Sequence, residues 1–314
     1  METNPELSII IPVFNEEKNL LPLYQKLTEV LKVVPSYEII MVDDGSSDGS
    51  AEVIAQLHQK DPRVKMISFS RNFGHMAALS AGLDYALGQA VITMDADLQH
   101  PPDLIPDLLA KWKAGAEVVN TLRKQTKNAG IFKNLSSLIF YWMINKVTKI
   151  QLPANAADFR LLDRKVVKAL KKMHERFCFL RGLVSWVGFK QEFVEYEADP
   201  RFAGKTKYSL GKMISFALDG ITSFSAFPLR LSTYLGLTIA FFSFLYILYA
   251  LYIKFFTLQA IPGWTSVLVA VLFMGGVQLI FLGILGEYLS RVYEEAKDRP
   301  LYIISRTLGF EESK

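Results

Sequence analysis

The chain has 314 residues, of which 51% are hydrophobic, and its formal net charge is +4 at pH 7. This size fits one large domain or two smaller ones, and the positive mean hydropathy is too apolar for a purely soluble enzyme. The modest charge gives no reason to expect nucleic acid as a partner, and the single cysteine, Cys178, excludes a disulfide framework and a multi-cysteine metal site. The polar segment Met1–Glu6 is no signal sequence, so we expect the first domain to stay on the cytoplasmic side.

Apolar runs rich in β-branched residues alternate with helical patterns in the first part of the chain. The runs predict strands at Leu7–Val13, Tyr37–Val42, Val64–Phe69, a run ending at Asp95, and Ala116–Asn120. The patterns between them predict a helix from Asn15, its cap, to about Val33, a second over about residues 50–60 capped by Ser47 or Asp48, and a third over Met76–Leu87. This alternation predicts a mostly parallel sheet with helices on both faces.

Polar side chains follow the predicted strands where their carboxyl ends should meet. Ligands of parallel α/β sheets bind beyond those ends. The chain places there Asn15, Asp43, Asp44, Arg71, Asp95, Asp97 and Arg123. Asp43 and Asp44 precede a Gly-Ser-Ser loop and suit hydrogen bonding to a ribose hydroxyl or a base edge. Neither a G-x-G-x-x-G loop nor a Walker loop occurs, so binding of a dinucleotide or ATP through those loops is unsupported.

Asp95 and Asp97 form the most informative pair of side chains. Strand periodicity would put both carboxylates on one side of the chain, where they repel each other unless a cation lies between them. A divalent cation bound to phosphates would supply that charge and act as a Lewis acid toward a diphosphate leaving group. A solvated turn is the simpler alternative. Pro101 and Pro102 would end the strand.

The middle of the chain is less regular. Residues 128–150 have apolar residues at helical spacing, which fits a membrane-surface helix and an ordinary docking helix equally well. Asn155–Leu162 brings another acid and an arginine together. The basic, glycine-containing segment Arg201–Tyr208 indicates a mobile loop near a membrane or a phosphate, and Tyr208–Phe227 is amphipathic again.

Two C-terminal segments, Leu231–Ile253 and Gly263–Gly286, lack charged residues and are long enough to cross a bilayer. Basic residues crowd their outer flanks, whereas the hairpin between them holds only Lys254, so the positive-inside rule predicts both termini in the cytoplasm. Two buried core helices are the alternative. The predicted organisation is a cytoplasmic domain over residues 1–228, a transmembrane hairpin over 229–290 and a cytoplasmic tail over 291–314.

Four motifs carry a family resemblance: Pro12–Glu17 (PVFNEE), Val42–Asp48 (VDDGSSD), Ser70–His75 (SRNFGH) and Asp95–Pro102 (DADLQHPP). In this order they resemble family-2 glycosyltransferases with the GT-A fold. Asp158–Leu162 (DFRLL) and the paired membrane helices narrow the resemblance to polyprenyl-phosphate glycosyltransferases, similar to the GtrB-like bactoprenol glucosyltransferases and dolichyl-phosphate mannose synthases. The resemblance covers nearly the whole chain. It implies inverting transfer of one sugar from a nucleotide sugar to a polyprenyl phosphate at the cytoplasmic face of the cell membrane.

The resemblance also implies roles for single residues. The donor nucleotide would contact Pro12, Asn15, Glu16, Asp44, Arg71 and Asp95. Asp95 and Asp97 would bind Mg²⁺ or Mn²⁺ together with the donor diphosphate. The acceptor phosphate would contact Arg123, Lys133, Arg201 and Lys205. Asp158, Arg160 and Asp97 would act in catalysis, with Asp158 matching the acid proposed as base; the family often has glycine where this chain has Ala157.

The base role of Asp158 has a physical weakness. A phosphate monoester has a second pKa near ~6, so the acceptor is largely ionised at neutral pH and needs little help from a base. Bringing two anions together is the greater need, and arginines, lysines and a metal can meet it. We therefore hypothesise that Asp158 mainly orients Arg160 or the acceptor, with base catalysis as a secondary role.

Simpler interpretations stand beside several of these roles. Arg71 could only pair with a nearby acid, and Lys205 and Lys207 could only meet anionic lipid. His75 fits a hydrogen-bonded structural histidine better than a functional one. His100 follows the acid pair closely enough to support it or to approach the metal.

Alternatives to the proposed reaction also remain. A processive polysaccharide synthase would carry a Gln-x-x-Arg-Trp motif, which does not occur here. A non-catalytic membrane protein that binds nucleotide sugars or assists a flippase would not need intact acids at the site. UDP-glucose is the expected donor, and GDP-mannose is the alternative because the pocket acids do not distinguish uracil from guanine. Two membrane helices per chain also favour a homo-oligomer.

Overall fold

The computed structural model describes residues 4–124, 156–173, 175, 180–197, 222, 225–256 and 263–310. The chain forms two compact units, one of Met1–Ala217 with Arg299–Lys314 and one of Leu218–Asp298. The end of the chain thus returns to the first unit, where Ile304–Leu308 forms a strand. The sequence had indicated only a tail there, because this short strand carries polar residues that face solvent.

The first unit is built on a sheet of eight strands in the order β7-β5-β6-β4-β1-β2-β3-β8. The strands are β1 (Leu7–Val13), β2 (Tyr37–Asp43), β3 (Val64–Phe69), β4 (Ala90–Thr93), β5 (Val118–Arg123), β6 (Ala156–Asp163), β7 (Gln191–Tyr196) and β8 (Ile304–Leu308). The helices are α1 (Glu17–Val30), α2 (Ser50–Lys60), α3 (His75–Tyr85), α4 (Ile105–Lys113), α5 (Arg164–Leu170) and α6 (Leu180–Trp186).

Most neighbouring strands are parallel, as the alternation of strands and helices predicts. β1 pairs in parallel with β2 and β4, β2 with β3, and β5 with β7. β6 is antiparallel to both β4 and β5, and β8 is antiparallel to β3 at the edge. Because β6 runs in the opposite direction, its first residues lie beside the carboxyl ends of β4 and β5. The mostly parallel GT-A-like fold is thereby confirmed, with an inserted antiparallel strand that the sequence pattern did not reveal.

The core of this unit lies on both faces of the central strands. Every residue of β1 and β2 is buried, which explains why both read as continuous apolar runs. Fully burying one of their isoleucine or valine side chains contributes roughly 1.5–3 kcal/mol. Helix α3 packs closely on β1, since a Cβ atom built on Gly82 would lie 2.2 Å from Cγ2 of Ile10. Gly82→Val would therefore force the helix away from the sheet.

Several predicted boundaries are wrong by a few residues. β4 ends at Thr93 rather than Asp95, and β5 begins at Val118. Helix α1 ends at Val30 and continues only as a 3₁₀ turn. Its N-cap is Glu16, without a side-chain cap, because the Asn15 side chain bonds elsewhere. The second helix is likewise preceded by Gly49 as its N-cap.

The second unit contains two long helices, α7 (Phe227–Phe256) and α8 (Trp264–Ala296). Their most apolar stretches fall within Phe227–Ile253 and Ser266–Ala296, and neither is buried within the protein. Core helices of a soluble protein would be mostly buried, so these helices fit membrane spans. Both helices extend beyond the predicted uncharged segments. The extension of α8 carries an ion pair between Glu287 and Arg291, 3.2 Å apart.

Candidate active site

Hydrogen bonds connect the loop after β1 to the segment after β2. Asn15 has a backbone φ of 57° and its side-chain oxygen accepts a hydrogen bond of 2.8 Å from the N–H of Ser47. Its own N–H donates to Oγ of Ser46 at 3.0 Å, and the N–H of Glu16 donates to Oγ of Ser50 at 3.0 Å. The predicted donor-pocket residues Asn15 and Glu16 are therefore held at the carboxyl edge of the sheet. Pro12 lies within β1 and is buried.

Asp44 fixes the loop that follows β3. One of its carboxylate oxygens accepts from the N–H of Phe73 at 2.6 Å, and the other accepts from Gly74 and from the side-chain amide of Asn72, each at 3.0 Å. Burial raises the pKa of Asp44 above its usual range, although the N–H groups of Phe73 and Gly74 favour the ionised form. Gly45 allows the two loops to touch, because its φ is 68° and an added Cβ would lie 2.4 Å from the carbonyl carbon of Arg71.

Asp95 and Asp97 lie in a turn after β4, not in the strand itself. The N–H of Met94 makes the last bond to β1, and the turn passes through Leu98 with a φ of 61°. Strand periodicity therefore does not align their carboxylates, and the prediction that it would is wrong because β4 ends at Thr93. Both residues do lie at the carboxyl edge of the sheet. Asp97 accepts a 3.1 Å hydrogen bond from the N–H of Gln99, and the Asp95 side chain is 36% exposed.

His100 stabilises this turn through a hydrogen bond to its backbone. Its Nδ1 accepts a 3.0 Å hydrogen bond from the N–H of Asp95, so a neutral ring carries its proton on Nε2. Nε2 lies 3.7 Å from the nearer carboxylate oxygen of Asp95. The ring is buried and stacks on Phe159 with 5.3 Å between the ring centroids. Of the two roles that the sequence left open, these contacts match support of the acid pair.

Asp158 lies between two arginines. Its Oδ1 accepts from Nη2 of Arg160 at 3.0 Å and from Nε of Arg181 at 2.8 Å, and its Oδ2 accepts from Nη2 of Arg181 at 2.8 Å. Arg181 thus binds both carboxylate oxygens through one edge of its guanidinium, formed by Nε and Nη2. Burial alone would raise the pKa of Asp158, but Arg181, His75 and Arg160 outweigh it and hold the pKa well below its usual range. Such a carboxylate is a weak base at neutral pH.

Arg160 is almost completely buried, with 2% of its side chain exposed. Its Nη2 also donates to the carbonyl oxygen of Ala157 at 3.0 Å, while its Nε has no hydrogen-bond partner among the described residues. Burial lowers the pKa of Arg160 to about 10, with Asp158 opposing the shift and Arg181 adding to it. The guanidinium therefore remains charged at neutral pH and contributes positive charge next to Asp158.

His75 connects the two acidic groups. At the start of α3, its Nε2 lies 3.7 Å from an Asp95 oxygen and 3.8 Å from an Asp158 oxygen. Loss of water around the ring would lower the pKa of His75, but Asp158 and Asp95 outweigh this and raise it. The sequence favoured a structural histidine, whereas this position lies in the centre of the candidate site.

The remaining predicted residues lie nearer the edge of the sheet or outside the described residues. Arg123 ends β5 beside Tyr196 of β7 and is exposed, as is Arg71, whose guanidinium lies 4.7 Å from the centre of the Phe73 ring. Burial raises the pKa of Tyr196 to about 12. Predictions for Lys133, Arg201, Lys205, Lys207 and Cys178, and for the helix over 128–150, concern residues that the structure does not describe.

One feature of the sequence points to Arg181. It is the single charged residue of α6, whose other members are apolar or small. A charged side chain within such a helix needs a partner when the helix packs on a core. That requirement predicts an acid nearby, but the pattern does not identify Asp158, which is 23 positions away.

Comparison with known proteins agrees with this arrangement. Glycosyl transferase family 2 matches residues 8–171, and the GtrB C-terminal hairpin matches residues 227–292. The uncharacterized glycosyltransferase YkcC of Bacillus subtilis is 47% identical, with 100% of this chain and 98% of that protein covered. The uncharacterized glycosyltransferase sll0501 of Synechocystis is 49% identical, with 98% and 96% covered. The bactoprenol glucosyl transferase of Shigella phage SfII is 43% identical, with 96% and 98% covered.

These matches cover both parts of the molecule. The first contains every described residue of the loops around Asp44 and Asp95 and reaches through β6, and the second contains most of α7 and α8. The paired apolar helices and the matched hairpin together indicate a membrane-associated protein. The chain belongs to glycosyl transferase family 2 and is a transferase that carries the GtrB C-terminal hairpin.

Proposed function

We propose that the protein transfers a single glucose residue from UDP-glucose to a polyprenyl phosphate such as undecaprenyl phosphate, with inversion at the anomeric carbon. The observation that carries the proposal is the meeting of an acid-rich turn and an arginine-rich cluster at His75, which lies within 3.8 Å of both Asp95 and Asp158. The turn suits a metal-bound diphosphate, and the cluster suits a second phosphate. Similarity to the bactoprenol glucosyl transferases supports the choice of sugar and lipid.

The donor set fits a divalent cation that the substrate helps to hold. Among the described residues, no group of three or more His, Cys, Asp or Glu side chains could hold a metal ion. Asp95 and Asp97 would therefore bind Mg²⁺ or Mn²⁺ as oxygen ligands, with the donor diphosphate and water completing the shell, which is how Mg²⁺ is commonly bound. The bound cation would supply Lewis-acid stabilisation of the diphosphate.

In the reaction, an oxygen of the acceptor phosphate forms a bond to the anomeric carbon of the sugar. The bond from that carbon to the diphosphate oxygen breaks, and UDP leaves with the bonding electrons. No proton has to be removed, since a phosphate monoester is mostly dianionic above its second pKa of about 6. Asp158, held ionised by Arg160 and Arg181, would position these cations rather than accept a proton.

The donor pocket would be formed by the fastened loops that contain Asn15, Glu16 and Asp44, with Arg71 at its edge. The acceptor phosphate would approach from the side of β5 and β6, near Arg123. We also propose that α7 and α8 span the cell (inner) membrane with both chain ends in the cytoplasm, and that copies of the chain associate through these helices. The exposed apolar surfaces of α7 and α8 support this association, which light scattering in detergent would test.

Transfer of radiolabelled sugar to undecaprenyl phosphate tests the function directly. The purified full-length protein would be supplied with UDP-glucose or GDP-mannose, with Mg²⁺, Mn²⁺ or EDTA. We expect labelled lipid from UDP-glucose, none with EDTA, and at least a ~10³-fold slower reaction for Asp95→Ala, since the variant loses a metal ligand. Asp107→Ala, at an exposed position of α4, is the matched control.

Other outcomes would select another function. Product from GDP-mannose alone would make the protein a mannosyltransferase. Polymeric product would indicate a processive synthase, and nucleotide binding without transfer or donor hydrolysis would indicate a non-catalytic protein. Product that persists in EDTA and in Asp95→Ala would refute the proposed metal site.

A further inference from the structure

The chain that follows α8 returns to the first unit and covers the edge of β3, beside the proposed donor pocket. β8 pairs antiparallel with β3, and the N–H of Ser70 donates to the carbonyl oxygen of Ile303 at 2.9 Å. Oγ of Ser305 donates to the carbonyl oxygen of Ser68 at 3.0 Å. Residues 302–310, here called the C-terminal segment, are therefore bound where β3 ends and the loop after it begins.

Three aromatic rings connect the C-terminal segment to the loop after β3. Tyr302 stacks on Phe69, with 5.0 Å between the ring centroids and 14° between the ring planes. Phe69 is the last residue of β3, is buried, and meets the ring of Phe73 edge to face at 5.7 Å. Both arrangements are the favourable ones for aromatic pairs. Tyr302 thus covers Phe69, and Phe69 supports Phe73.

Phe73 is the residue through which this support reaches the proposed donor pocket. Its N–H donates to the Asp44 carboxylate at 2.6 Å, and the N–H of Gly74 donates to the same carboxylate at 3.0 Å. The ring of Phe73 also lies 4.7 Å from the guanidinium of Arg71. A displaced Phe73 ring would move its own N–H and the Arg71 side chain together. Because hydrogen bonds weaken steeply with poor geometry, the pocket depends on the support of this ring.

The other contacts of the C-terminal segment lie at the far end of α3 from this loop. The Tyr302 hydroxyl donates to the Asp84 carboxylate at 2.8 Å. Phe310 packs edge to face on Tyr85, with 5.0 Å between the ring centroids, and the Lys65 ammonium lies 5.1 Å from the centre of the Phe310 ring. These contacts attach the segment to α3 and β3, whereas the Tyr302 ring alone of these groups contacts Phe69. Attachment and support of the loop can therefore be separated by substitution.

Resting on the proposed donor pocket, we infer that the ring of Tyr302 positions the loop after β3 for binding of a nucleoside diphosphate, acting through Phe69 and Phe73. Tyr302 is thus a positioning residue that the end of the chain supplies to the first unit. The donor pocket is complete when the C-terminal segment is bound to β3. A purely structural segment would stabilise the fold equally through each of its aromatic contacts, without a special effect on the nucleotide.

Three substitutions in the full-length protein distinguish these two roles. Tyr302→Leu removes the stacked ring, Tyr302→Phe keeps the ring but removes the hydrogen bond to Asp84, and Phe310→Leu removes an aromatic contact of the same segment at α3. Calorimetry in detergent would measure binding of UDP and of GDP, and thermal unfolding would measure stability. Hydrogen exchange at the N–H groups of Phe73 and Gly74 would report the order of the loop without any ligand.

We expect Tyr302→Leu to bind UDP about threefold to tenfold more weakly, the effect of losing one aromatic pair. Exchange at Phe73 and Gly74 should become faster by a similar factor. Tyr302→Phe should restore UDP affinity and exchange to within about twofold of the wild-type values. Phe310→Leu should lower the unfolding midpoint as much as Tyr302→Leu does, yet leave UDP affinity and loop exchange within about twofold. In the transfer assay, the KM for UDP-glucose should rise in Tyr302→Leu, whereas the KM for undecaprenyl phosphate should not.

Three results would overturn the inference. Equal losses of UDP affinity in Tyr302→Leu and Phe310→Leu would leave the segment a structural role alone. Unchanged affinity and exchange in Tyr302→Leu would exclude support of the loop, and an equal loss in Tyr302→Phe would assign the effect to the hydroxyl and Asp84 instead of the ring. If the wild-type protein bound neither UDP nor GDP, the proposed donor pocket would fail, but the exchange rates would still decide whether Tyr302 positions the loop.

Discussion

Asp44 and Asp158 are both buried aspartates at the same edge of the sheet, yet they are stabilised in different ways. Asp44 accepts hydrogen bonds from neutral donors, chiefly the N–H groups of Phe73 and Gly74, and burial raises its pKa. Asp158 accepts from two arginines, and its pKa is held well below the usual range. The same side chain is thus held by neutral donors at one position and by charged donors at the other.

The surroundings explain this division. Around Asp44, neutral hydrogen bonds hold loops in place without adding positive charge, which suits a pocket for the uncharged base and ribose of a nucleotide. Around Asp158, two arginines donate to one carboxylate, an arrangement that suits the second phosphate of the proposed reaction. The half of the candidate site around Asp44 is therefore held mainly by hydrogen bonds from the backbone, and the half around Asp158 is held by ion pairs.

Removing the Asp158 carboxylate should have the largest effect on this comparison. Asp158→Ala leaves Arg160 buried without its counter-charge, and breaking such a pair costs about 3–5 kcal/mol of unfolding free energy. Thermal unfolding of the first unit in detergent, followed by near-UV circular dichroism, would measure the loss. The double variant Asp158→Ala/Arg160→Met should recover much of it because no orphaned charge remains. If the single variant were as stable as the wild-type protein, the charge-based account of this half would be wrong.

Asp44→Asn should cost less. The amide can still accept one hydrogen bond, but its NH₂ group would face donors now satisfied by the second carboxylate oxygen, which costs about 1–3 kcal/mol. We also expect UDP binding to weaken, because the loop at Phe73 and Gly74 is released. Binding of farnesyl phosphate, a short lipid phosphate that stands for the acceptor, should be retained. Calorimetry with both ligands would measure this, with Asp107→Asn as the exposed control. Weaker binding of the lipid phosphate alone would contradict the assignment of Asp44 to the donor half.

Much of the half around Asp44, the proposed donor pocket, could be predicted from the sequence. β1 and β2 are buried on both faces, so their apolar runs stand out, and the polar residues after them necessarily reach the carboxyl edge of a parallel sheet. The sequence correctly predicts that Asp95 and Asp97 lie at that edge. It does not predict their local structure, because leucine rarely adopts the left-handed backbone conformation that Leu98 has in this turn.

The half around Asp158 was harder to predict. β6 contains both Asp158 and Arg160, and charged residues inside a strand hide the apolar alternation that identifies one. Partners from distant parts of the chain complete the site: Thr93 and Asn120 lie beside Arg160 on the neighbouring strands, and Arg181 comes from a helix. Local periodicity predicts elements, whereas these pairings depend on strand order, which the pattern does not encode.

The pH dependence of the unfolding free energy is the smallest expected effect, and it tests the comparison because Asp44 and Asp158 should contribute with opposite signs. Asp158 has a depressed pKa in the folded state, so its stabilising contribution is complete above the unfolded value of about 3.9 and is lost as the pH falls below it. Asp44 has a raised pKa in the folded state, so its contribution is complete below about 3.9 and is lost as the pH rises through the raised value.

Two differences in stability can be measured: the wild-type protein against Asp158→Asn, and the wild-type protein against Asp44→Asn. Acidification from pH 7 should change them in opposite directions. The stability advantage of the wild-type protein over Asp158→Asn should stay constant until about pH 4 and then shrink. Its advantage over Asp44→Asn should grow as the pH falls through the raised pKa of Asp44, because the folded state takes up that proton before the unfolded state does. Unfolding midpoints of the three proteins in one detergent, measured from pH 7 to about 3.5, would give both differences. Parallel curves would mean that Asp44 and Asp158 experience the same electrostatic environment, and the contrast between neutral and charged partners would then have no energetic consequence.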